Sequence, residues 1–208
     1  MKRIDFWFDP ISPFAHLAFE RLPEALDGCS YAVEYRPVLF AGLLAHWGQK
    51  GPAEIEPKRV WTFRQVAWLA QHHGIEWQMP AVHPFNPLVL LRLVLAAGPN
   101  RRSVEAAMRH VWRGGGDPNE AARLEELARA LAPPRDPASS EVKSELRMAT
   151  DEAIARGVFG VPTFELDGRL FWGFDALPML RAALQGEAWF EGPAWSDAAT
   201  ARPGVVRT

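Results

Sequence analysis

The chain has 208 residues, of which 48% are hydrophobic and 23% charged, and its formal net charge is -2. This composition is typical of a soluble globular protein of about one to one-and-a-half domains, and it gives no electrostatic reason to expect nucleic acid or a membrane surface as a partner. The single cysteine, Cys29, excludes an internal disulfide and a Cys-x-x-Cys redox pair, and no apolar run reaches the roughly 18 residues of a membrane span.

The first forty residues predict a β-α-β unit. Hydrophobic residues alternate along Lys2–Phe8, which indicates a strand; the chain enters it without a secretory core, so we expect a cytoplasmic protein. Ser12 followed by Pro13 is typical of a helix start, and we predict a helix over 14–26. A second strand is predicted over 31–39, and two strands joined by a helix form a parallel pair.

Helical patterns dominate the middle of the chain, and glycine and proline pairs separate them. We predict helices over 60–73, 87–97, 103–112, 119–131 and 141–156. Trp61, Trp68 and Trp112 are expected to pack in the core of this region, and the alternative is that one of them lines an aromatic pocket. Few strand-like runs interrupt the helices, which predicts an all-helical insertion over 41–150.

Strand patterns return near the C-terminus. Residues 160–166 alternate, Asp167-Gly168 is typical of a hairpin turn, and Arg169–Trp172 supplies the partner strand. A helix is predicted over 176–184. The aromatic-rich chain after residue 186 is expected to lie as coil over the domain.

The order of these elements predicts the architecture. A β-α-β unit, a run of helices and a β-β-α unit can join into one sheet with helices on both faces. We therefore predict an α/β fold in which residues 1–40 and 151–208 form one domain, with a helical domain of residues 41–150 inserted between them.

Two segments carry residues suited to a thiol ligand. A helix N-terminus offers unpaired N–H groups and a partial positive charge, so a thiolate is stabilised there, and the Ser12 hydroxyl can donate to it. A plain helix cap is the alternative for Ser12. Pro162 begins the late strand; a cis bond after Val161 would turn the Val161 backbone toward an extended peptide, and an ordinary trans proline is the alternative.

These segments, in this order, resemble a known family. The matching stretches are residues 5–18, 51–54, 158–163 and 172–175. In them the chain is similar to the 2-hydroxychromene-2-carboxylate isomerases and to the related kappa-class glutathione transferases, in the DsbA-like branch of the thioredoxin superfamily. The resemblance implies a thioredoxin-like sheet, glutathione as cofactor and a homodimer.

The resemblance also implies roles for particular residues. In this family a serine hydroxyl holds the glutathione sulfur, the residue before a cis-proline pairs with the cysteinyl backbone, and a Gly-x-Asp turn receives the γ-glutamyl end, where a carboxylate pairs with the α-ammonium. Carried over, glutathione would be bound by Ser12, Pro13, Phe14, Val161, Pro162, Phe174 and Asp175. Ser12 would be the catalytic residue. Ala15 stands where thioredoxin-like oxidoreductases keep their second cysteine, so no redox chemistry is expected.

The chain departs from the family pattern at three places. Phe174 stands where family members often have a small polar residue. Ala176 follows the aspartate, where an arginine is common. Residues 48–54 lack the asparagine that close members carry near the active site, and Gln49 is its nearest chemical substitute.

A second substrate is expected between the two domains, where pockets often form. The candidates to line this pocket are Gln49, Lys50, Glu54, Lys58, His83 and Asn86. Lys50 or Lys58 can hold a substrate carboxylate, and His83 can transfer a proton near neutral pH. Solvated loop side chains are the alternative for each. His72 and His73 are adjacent and do not share a helix face, so no metal pair is predicted.

The resemblance implies glutathione-dependent isomerisation of a small aromatic-ring-derived hydroxy acid such as 2-hydroxychromene-2-carboxylate. The glutathione thiolate would add to the substrate, a bond would rotate, and elimination would restore the thiolate. A kappa-like glutathione transferase is one alternative, and a non-catalytic thiol- or peptide-binding module is another. Product analysis separates the first two, because isomerisation consumes no glutathione.

Overall fold

Four strands form one mixed sheet in the computed structural model, which describes residues 1–200. The strands are β1 (Lys2–Phe8), β2 (Tyr31–Pro37), β3 (Thr163–Leu166) and β4 (Arg169–Trp172). Their order in the sheet is β2-β1-β3-β4, with β1 parallel to β2 and the other two pairs antiparallel. The parallel pair at the start and the hairpin at the end confirm the predicted α/β fold.

The helices of the described chain fall mostly between β2 and β3. They are α1 (Pro13–Ala25), α2 (Phe40–Trp47), α3 (Glu56–His72), α4 (Leu88–Ala97), α5 (Arg101–Trp112), α6 (Ala121–Leu131), α7 (Ser140–Ala155), α8 (Leu177–Leu184), α9 (Ala188–Glu191) and α10 (Pro193–Ala198). Two short 3-10 segments cover Pro52–Glu54 and Phe174–Ala176. Over residues 1–200, no helix has the length and apolar character needed to cross a bilayer.

Three sequence-based expectations about the helices were wrong. The helix α2 was not predicted, and α3 begins at Glu56 rather than at residue 60. The chain after residue 186 forms two short helices instead of coil, because its aromatic residues pack: Phe190 is buried, with its ring centroid 5.9 Å from that of Phe171. Trp195 lies against the same Phe171 ring at 6.1 Å.

One apolar core lies under both the sheet and the helical insertion. Alternate residues of β1 are fully buried on one face of the sheet, and the Phe6 ring stacks on Phe164 with centroids 4.8 Å apart. The same core includes Met108 and Trp112 of α5 and Val94 of α4. The division into domains 1–40 plus 151–208 and 41–150 stays a prediction, and residues 201–208 of it lie outside the described chain.

Tryptophans of the insertion differ in burial. Trp112 is fully buried, as expected, whereas Trp61 is 65% exposed and Trp68 59% exposed. The expectation that these two pack in the core was wrong, because α3 fully buries only Val66 and Ala70. A helix packed along one narrow stripe leaves its other large side chains in solvent.

On the opposite face of the sheet, charged residues surround Trp7 and accept its indole N–H. Trp7 is fully buried, and its indole N–H donates to Glu165 Oε2 at 3.3 Å. Arg156 donates to the other oxygen of Glu165 at 2.8 Å, and Arg36 donates to Asp5 at 2.8 Å. Both guanidinium groups lie within 6 Å of the Trp7 ring centroid, at 5.8 and 5.9 Å. The buried carboxylates of this face are therefore paired, as buried charges must be.

Candidate active site

A cavity of about 580 Å³ opens where β1 ends and α1 begins. Its walls come from the β1–α1 loop, from α2 and the 3-10 segment after it, from α3, from residues 83–87, from residues 159–161 and from Trp172. This volume falls within the range of small-molecule sites, roughly 300–1,000 Å³. The cavity therefore brings together parts of the sheet and of the helical insertion.

Ser12 lies in this cavity as the N-cap of α1. Its backbone is extended, with φ -86° and ψ 117°, and its hydroxyl oxygen accepts the Ala15 N–H at 3.2 Å. The same hydroxyl donates to the Val161 carbonyl at 3.2 Å. The Val161–Pro162 peptide bond is cis. The two segments singled out in the sequence are thus joined by a direct hydrogen bond.

The Gly-x-Asp turn is connected to the same place through Pro162, whose carbonyl accepts the Gly173 N–H at 2.9 Å. Gly173 has φ +101°, and a Cβ there would collide with the Asp175 carboxylate, so only glycine suits the turn. Asp175 is exposed and has no side-chain hydrogen bond or ion pair with any residue from 1 to 200. The Phe174 ring packs on His73 at 5.3 Å. Phe174 and Asp175 do not line the cavity.

Asp9 is a buried carboxyl group of the cavity wall that the sequence analysis missed. Its Oδ1 accepts the Ile11 N–H and its Oδ2 accepts the Phe40 N–H, both at 3.0 Å. Burial raises the pKa of Asp9 to about 7, against the opposing effect of the two backbone hydrogen bonds. The side chain ties the loop before Ser12 to the first turn of α2. An acidic residue directly after a buried strand and beside a helix start is the sequence signal that would have identified it.

His83 lines the cavity and also contacts the β1–α1 loop. Its Nε2 lies 2.9 Å from the Ile11 carbonyl oxygen. A carbonyl only accepts, so Nε2 carries the proton and donates it to Ile11. Burial lowers the pKa of His83, and the hydrogen bond to Ile11 opposes that shift. Burial therefore favours the neutral form of the imidazole.

Four of the six predicted substrate residues line the cavity, and two do not. The four are Gln49, Lys50, Glu54 and His83. Glu54 is also engaged locally, because its Oε1 accepts the Gly51 N–H at 2.6 Å. Lys58 borders a second depression beside Trp61, which adjoins the cavity at Pro52 and Thr62, since its position on α3 turns it away from the cavity itself. Asn86 instead accepts the Leu88 N–H at 3.0 Å at the start of α4.

The cavity also contains residues that the sequence analysis did not single out. Arg59, next to Lys58, lines it and forms no ion pair within residues 1–200. Aromatic rings cover much of the wall, and besides His83 they belong to Phe14, Phe40, Phe63, Phe85, Phe159 and Trp172. The rings of Phe159 and Trp172 lie 4.9 Å apart. The cavity therefore combines aromatic surface with two cationic side chains, Lys50 and Arg59.

The histidine and acidic side chains of residues 1–200 do not gather into a metal site. Within the described 200 residues, no group of three or more histidine, cysteine, aspartate or glutamate side chains is arranged to hold an ion. His72 stacks on Trp68 with ring centroids 4.9 Å apart, and His73 packs on Phe174. Both histidines thus make aromatic contacts.

Comparison with known proteins gives consistent relatives. The model of the DSBA-like thioredoxin domain matches residues 3–185. The 2-hydroxychromene-2-carboxylate isomerase of Sphingobium xenophagum is 32% identical over 193 residues, which cover 88% of this chain and 98% of that protein. Glutathione S-transferase kappa 2 of Caenorhabditis elegans is 29% identical, over 92% of this chain and 95% of its own.

Solved structures agree with this fold. A 2-hydroxychromene-2-carboxylate isomerase structure superposes with a TM-score of 0.79 at 24% identity, covering 95% of this chain and all of the other. The two chains therefore share the same fold over 95% of this chain. The chain belongs to the DSBA-like thioredoxin domain family, in the branch that holds the 2-hydroxychromene-2-carboxylate isomerases and the kappa-class glutathione transferases.

Proposed function

We propose that this protein is a glutathione-dependent isomerase that acts on a small aromatic-ring-derived hydroxy acid of the 2-hydroxychromene-2-carboxylate type. One observation carries the proposal: the Ser12 hydroxyl, at the N-terminus of α1, meets the Val161 carbonyl on the wall of an aromatic cavity. The relatives named as isomerases support the reaction class. The kappa transferase relatives support glutathione as the thiol.

The residues present fit glutathione. Asp175 offers an exposed carboxylate, without a partner among residues 1–200, for the α-ammonium of the γ-glutamyl end. The Val161–Pro162 backbone adjoins Ser12 and would pair with the cysteinyl part. The proposed glutathione site consists of Ser12, Pro13, Phe14, Val161, Pro162, Phe174 and Asp175. When bound, glutathione would supply a thiolate nucleophile that adds reversibly to the substrate.

Ser12 would stabilise the negative charge of that sulfur. Its hydroxyl hydrogen now points to the Val161 carbonyl, and rotation about one bond can redirect it to an anion in the cavity. The partial positive charge at the start of α1 acts in the same direction. Donors aimed at developing charge supply the largest part of such catalysis in many enzymes. In this proposal Ser12 is the catalytic residue, and it neither gains nor loses a covalent bond.

The rest of the cavity would hold the second substrate. Phe40, Phe159 and Trp172 offer flat apolar surface to an aromatic ring. Lys50 and Arg59 are the cations that would pair with its carboxylate. Gln49, Glu54 and His83 complete the proposed lining. Lys58 and Asn86, which lie outside the cavity, have no part in it.

Two observations favour other functions. The kappa transferase of Caenorhabditis elegans covers as much of the chain as the isomerases do, which supports net conjugation as a second candidate. The Phe174 ring packs inward on His73, and Ala176 is buried, so the turn presents Asp175 as its one charged group to a ligand. A thiol- or peptide-binding module without catalysis is therefore the third candidate.

One experiment separates these candidates. Glutathione is titrated into the parent protein and into Ser12→Ala by calorimetry, and 2-hydroxychromene-2-carboxylate is then added and followed by NMR. Isomerised substrate with full recovery of glutathione supports the isomerase. Stoichiometric loss of glutathione supports the transferase, and binding without turnover supports the module. Absence of measurable binding to the parent protein contradicts all glutathione-based candidates together.

We also infer a homodimer and a cytoplasmic location. Trp61 and Trp68 are seven residues apart on α3, so they lie on one face of the helix, and both are exposed, as is the adjacent Val60. Neighbouring exposed apolar side chains of this kind mark protein interaction sites. A second copy of the chain, presenting the same face, would cover them. The cytosol keeps thiols reduced through its glutathione pool, so it suits an enzyme that depends on a free glutathione thiol.

A further inference from the structure

The peptide segment just before Ser12 is held by three side chains. Asp9 accepts the Ile11 N–H at 3.0 Å. The indole N–H of Trp112 donates to the Pro10 carbonyl at 2.8 Å, and the imidazole Nε2–H of His83 donates to the Ile11 carbonyl at 2.9 Å. Asp9 belongs to the loop itself, whereas Trp112 and His83 belong to the helical insertion. Trp112 and His83, both from the helical insertion, therefore hold the loop before Ser12 by hydrogen bonds to its carbonyl groups.

The surroundings of His83 fix its orientation. Its ring makes edge contacts with Phe63 at 5.1 Å and Phe85 at 6.1 Å, and a tilted contact with Trp112 at 5.7 Å. Its Nδ1 is buried and has no hydrogen-bond partner in the described structure. Burial and the charge of Arg59 both lower the pKa of His83. One ring nitrogen is thus committed to Ile11, and the other is closed off from solvent.

We propose that His83 is a positioning residue for Ser12: by holding the Ile11 carbonyl, it fixes the peptide that leads into the N-terminus of α1 and so sets where the Ser12 hydroxyl points. This assignment rests on the proposed function, in which Ser12 stabilises a sulfur anion. It differs from direct proton transfer to substrate, because the Nε2 proton is already donated and Nδ1 is buried.

The geometry explains why one hydrogen bond has this effect. The carbonyl of Ile11 belongs to the same peptide plane as the Ser12 nitrogen, so a rotation of that plane changes the backbone angle of the N-cap. This peptide has two hydrogen-bonding groups. The Ser12 N–H donates to the Asp9 carbonyl at 3.0 Å, and the Ile11 carbonyl accepts from His83. Without His83, the Ile11 carbonyl loses its side-chain donor.

The test uses a thiol placed at the serine position, so that it does not require glutathione to bind. Ser12→Cys is combined with Cys29→Ser, and the pKa of the introduced thiol is measured from its alkylation rate against pH. Helix N-termini lower thiol pKa values. His83→Leu removes the donor, and we expect it to raise this pKa by about one unit, which is a tenfold lower thiolate fraction below the pKa. His83→Gln keeps an N–H donor and should restore most of the shift.

His110 supplies a matched control. Its Nε2 also donates to a backbone carbonyl, that of Pro118 at 2.8 Å, and burial lowers its pKa as well, but it does not line the cavity. His110→Leu should leave the thiol pKa unchanged. Urea unfolding of each variant reports whether the fold is retained. The proposal would be overturned if the introduced thiol had the same pKa in the protein that keeps His83 and in the protein that carries His83→Leu.

A second measurement distinguishes this proposal from the proposed function. In the chain with native Ser12, His83→Leu should lower kcat of the glutathione-dependent reaction about tenfold with a smaller change in KM for the acid substrate. A parent protein that does not bind glutathione contradicts the proposed function, while the thiol pKa in the cysteine variants still decides the role of His83. Equal thiol pKa values contradict the role of His83, whatever the glutathione titration gives.

Discussion

The Ser12 hydroxyl donates to the Val161 carbonyl at 3.2 Å, although the two residues are 149 positions apart in the chain. The bond joins the start of α1 to the cis peptide before Pro162. The same hydroxyl oxygen accepts the Ala15 N–H. The Ser12 side chain therefore caps α1 and also connects the start of this helix to the segment that leads into β3. Its removal should change both the folding stability and ligand binding, and the two effects have to be measured separately.

Ser12→Ala should lower glutathione-dependent turnover by about a hundredfold, the loss seen when one preorganised donor to an oxyanion is removed. It should also cost about 1 kcal/mol of folding stability as a lost N-cap. Ser139→Ala is the matched control, because the Ser139 hydroxyl caps α7 by accepting the Val142 N–H at 3.3 Å, away from the cavity. Steady-state kinetics and urea unfolding of both variants check this. Equal activity losses in the two variants would contradict the role of Ser12.

Asp9 should make the protein less stable as pH rises from about 4 to about 7. Its pKa is raised from 3.8 to about 7 on folding, so in this window the folded state binds a proton that the unfolded state has released. By linkage, stability falls with rising pH, by up to about 4 kcal/mol for a shift of this size. Asp9→Asn cannot ionise and should remove this component of the pH dependence.

The free energy of unfolding of Asp9→Asn, measured in urea across pH 4 to 8, checks the prediction. Asp136→Asn is the control, since Asp136 likewise accepts a backbone N–H two residues on, from Ala138 at 2.8 Å, but is exposed. The gap between parent and variant should shift in favour of Asp9→Asn as pH rises, and not for Asp136→Asn. If the free energies of unfolding of the parent and of Asp9→Asn change in parallel with pH, Asp9 does not titrate in this range.

The sequence was informative where chemistry and spacing are local. A serine before a proline after a strand predicts an N-cap, and Ser12 is one, with a hydrogen bond to Ala15. The hairpin signal at Asp167-Gly168 also matches the observed turn between β3 and β4. Both features depend on a few neighbouring residues, so they can be predicted without knowing the rest of the fold.

Side-chain direction on a helix was harder to predict. Lys58 and Arg59 are adjacent, and one residue along a helix turns the side chain by about 100°; Arg59 faces the cavity, whereas Lys58 faces the neighbouring depression. The same uncertainty of phase explains Trp61 and Trp68, which are exposed although large aromatic residues are usually buried. Asp9 was missed because its burial depends on α2, a helix that the sequence patterns did not predict.

Glu165 should be far more important for stability than its neighbour Glu152, although both pair with Arg156. Glu165 is buried and also accepts the Trp7 indole N–H, so Glu165→Ala leaves that buried donor without an acceptor and removes one of the two carboxylates that pair with Arg156; it should cost about 2–3 kcal/mol. Glu152→Ala breaks an exposed i,i+4 pair worth about 0.3–0.5 kcal/mol. Urea unfolding compares the two; similar losses would contradict the prediction.

The exposed face of α3 should mediate self-association. Replacing Trp61 and Trp68 together by Gln, which suits a helix, should convert a dimer into a monomer with little change in helix content. Met148→Gln on α7 is the control, because Met148 is also an exposed large apolar residue, at 58%. Sedimentation velocity of the three proteins measures the masses. A dimer that survives the double substitution, or a parent protein that is monomeric, contradicts this interface.

The shared core under the sheet and the insertion has a consequence for how this enzyme class can diversify. Because Phe6 of the sheet and Met108 and Trp112 of the insertion belong to one packed interior, the two sides of the cavity cannot swing apart without wetting it. New substrates must therefore be accommodated by exchanging wall residues such as Phe40 or Trp172, while the frame that presents Ser12 stays the same.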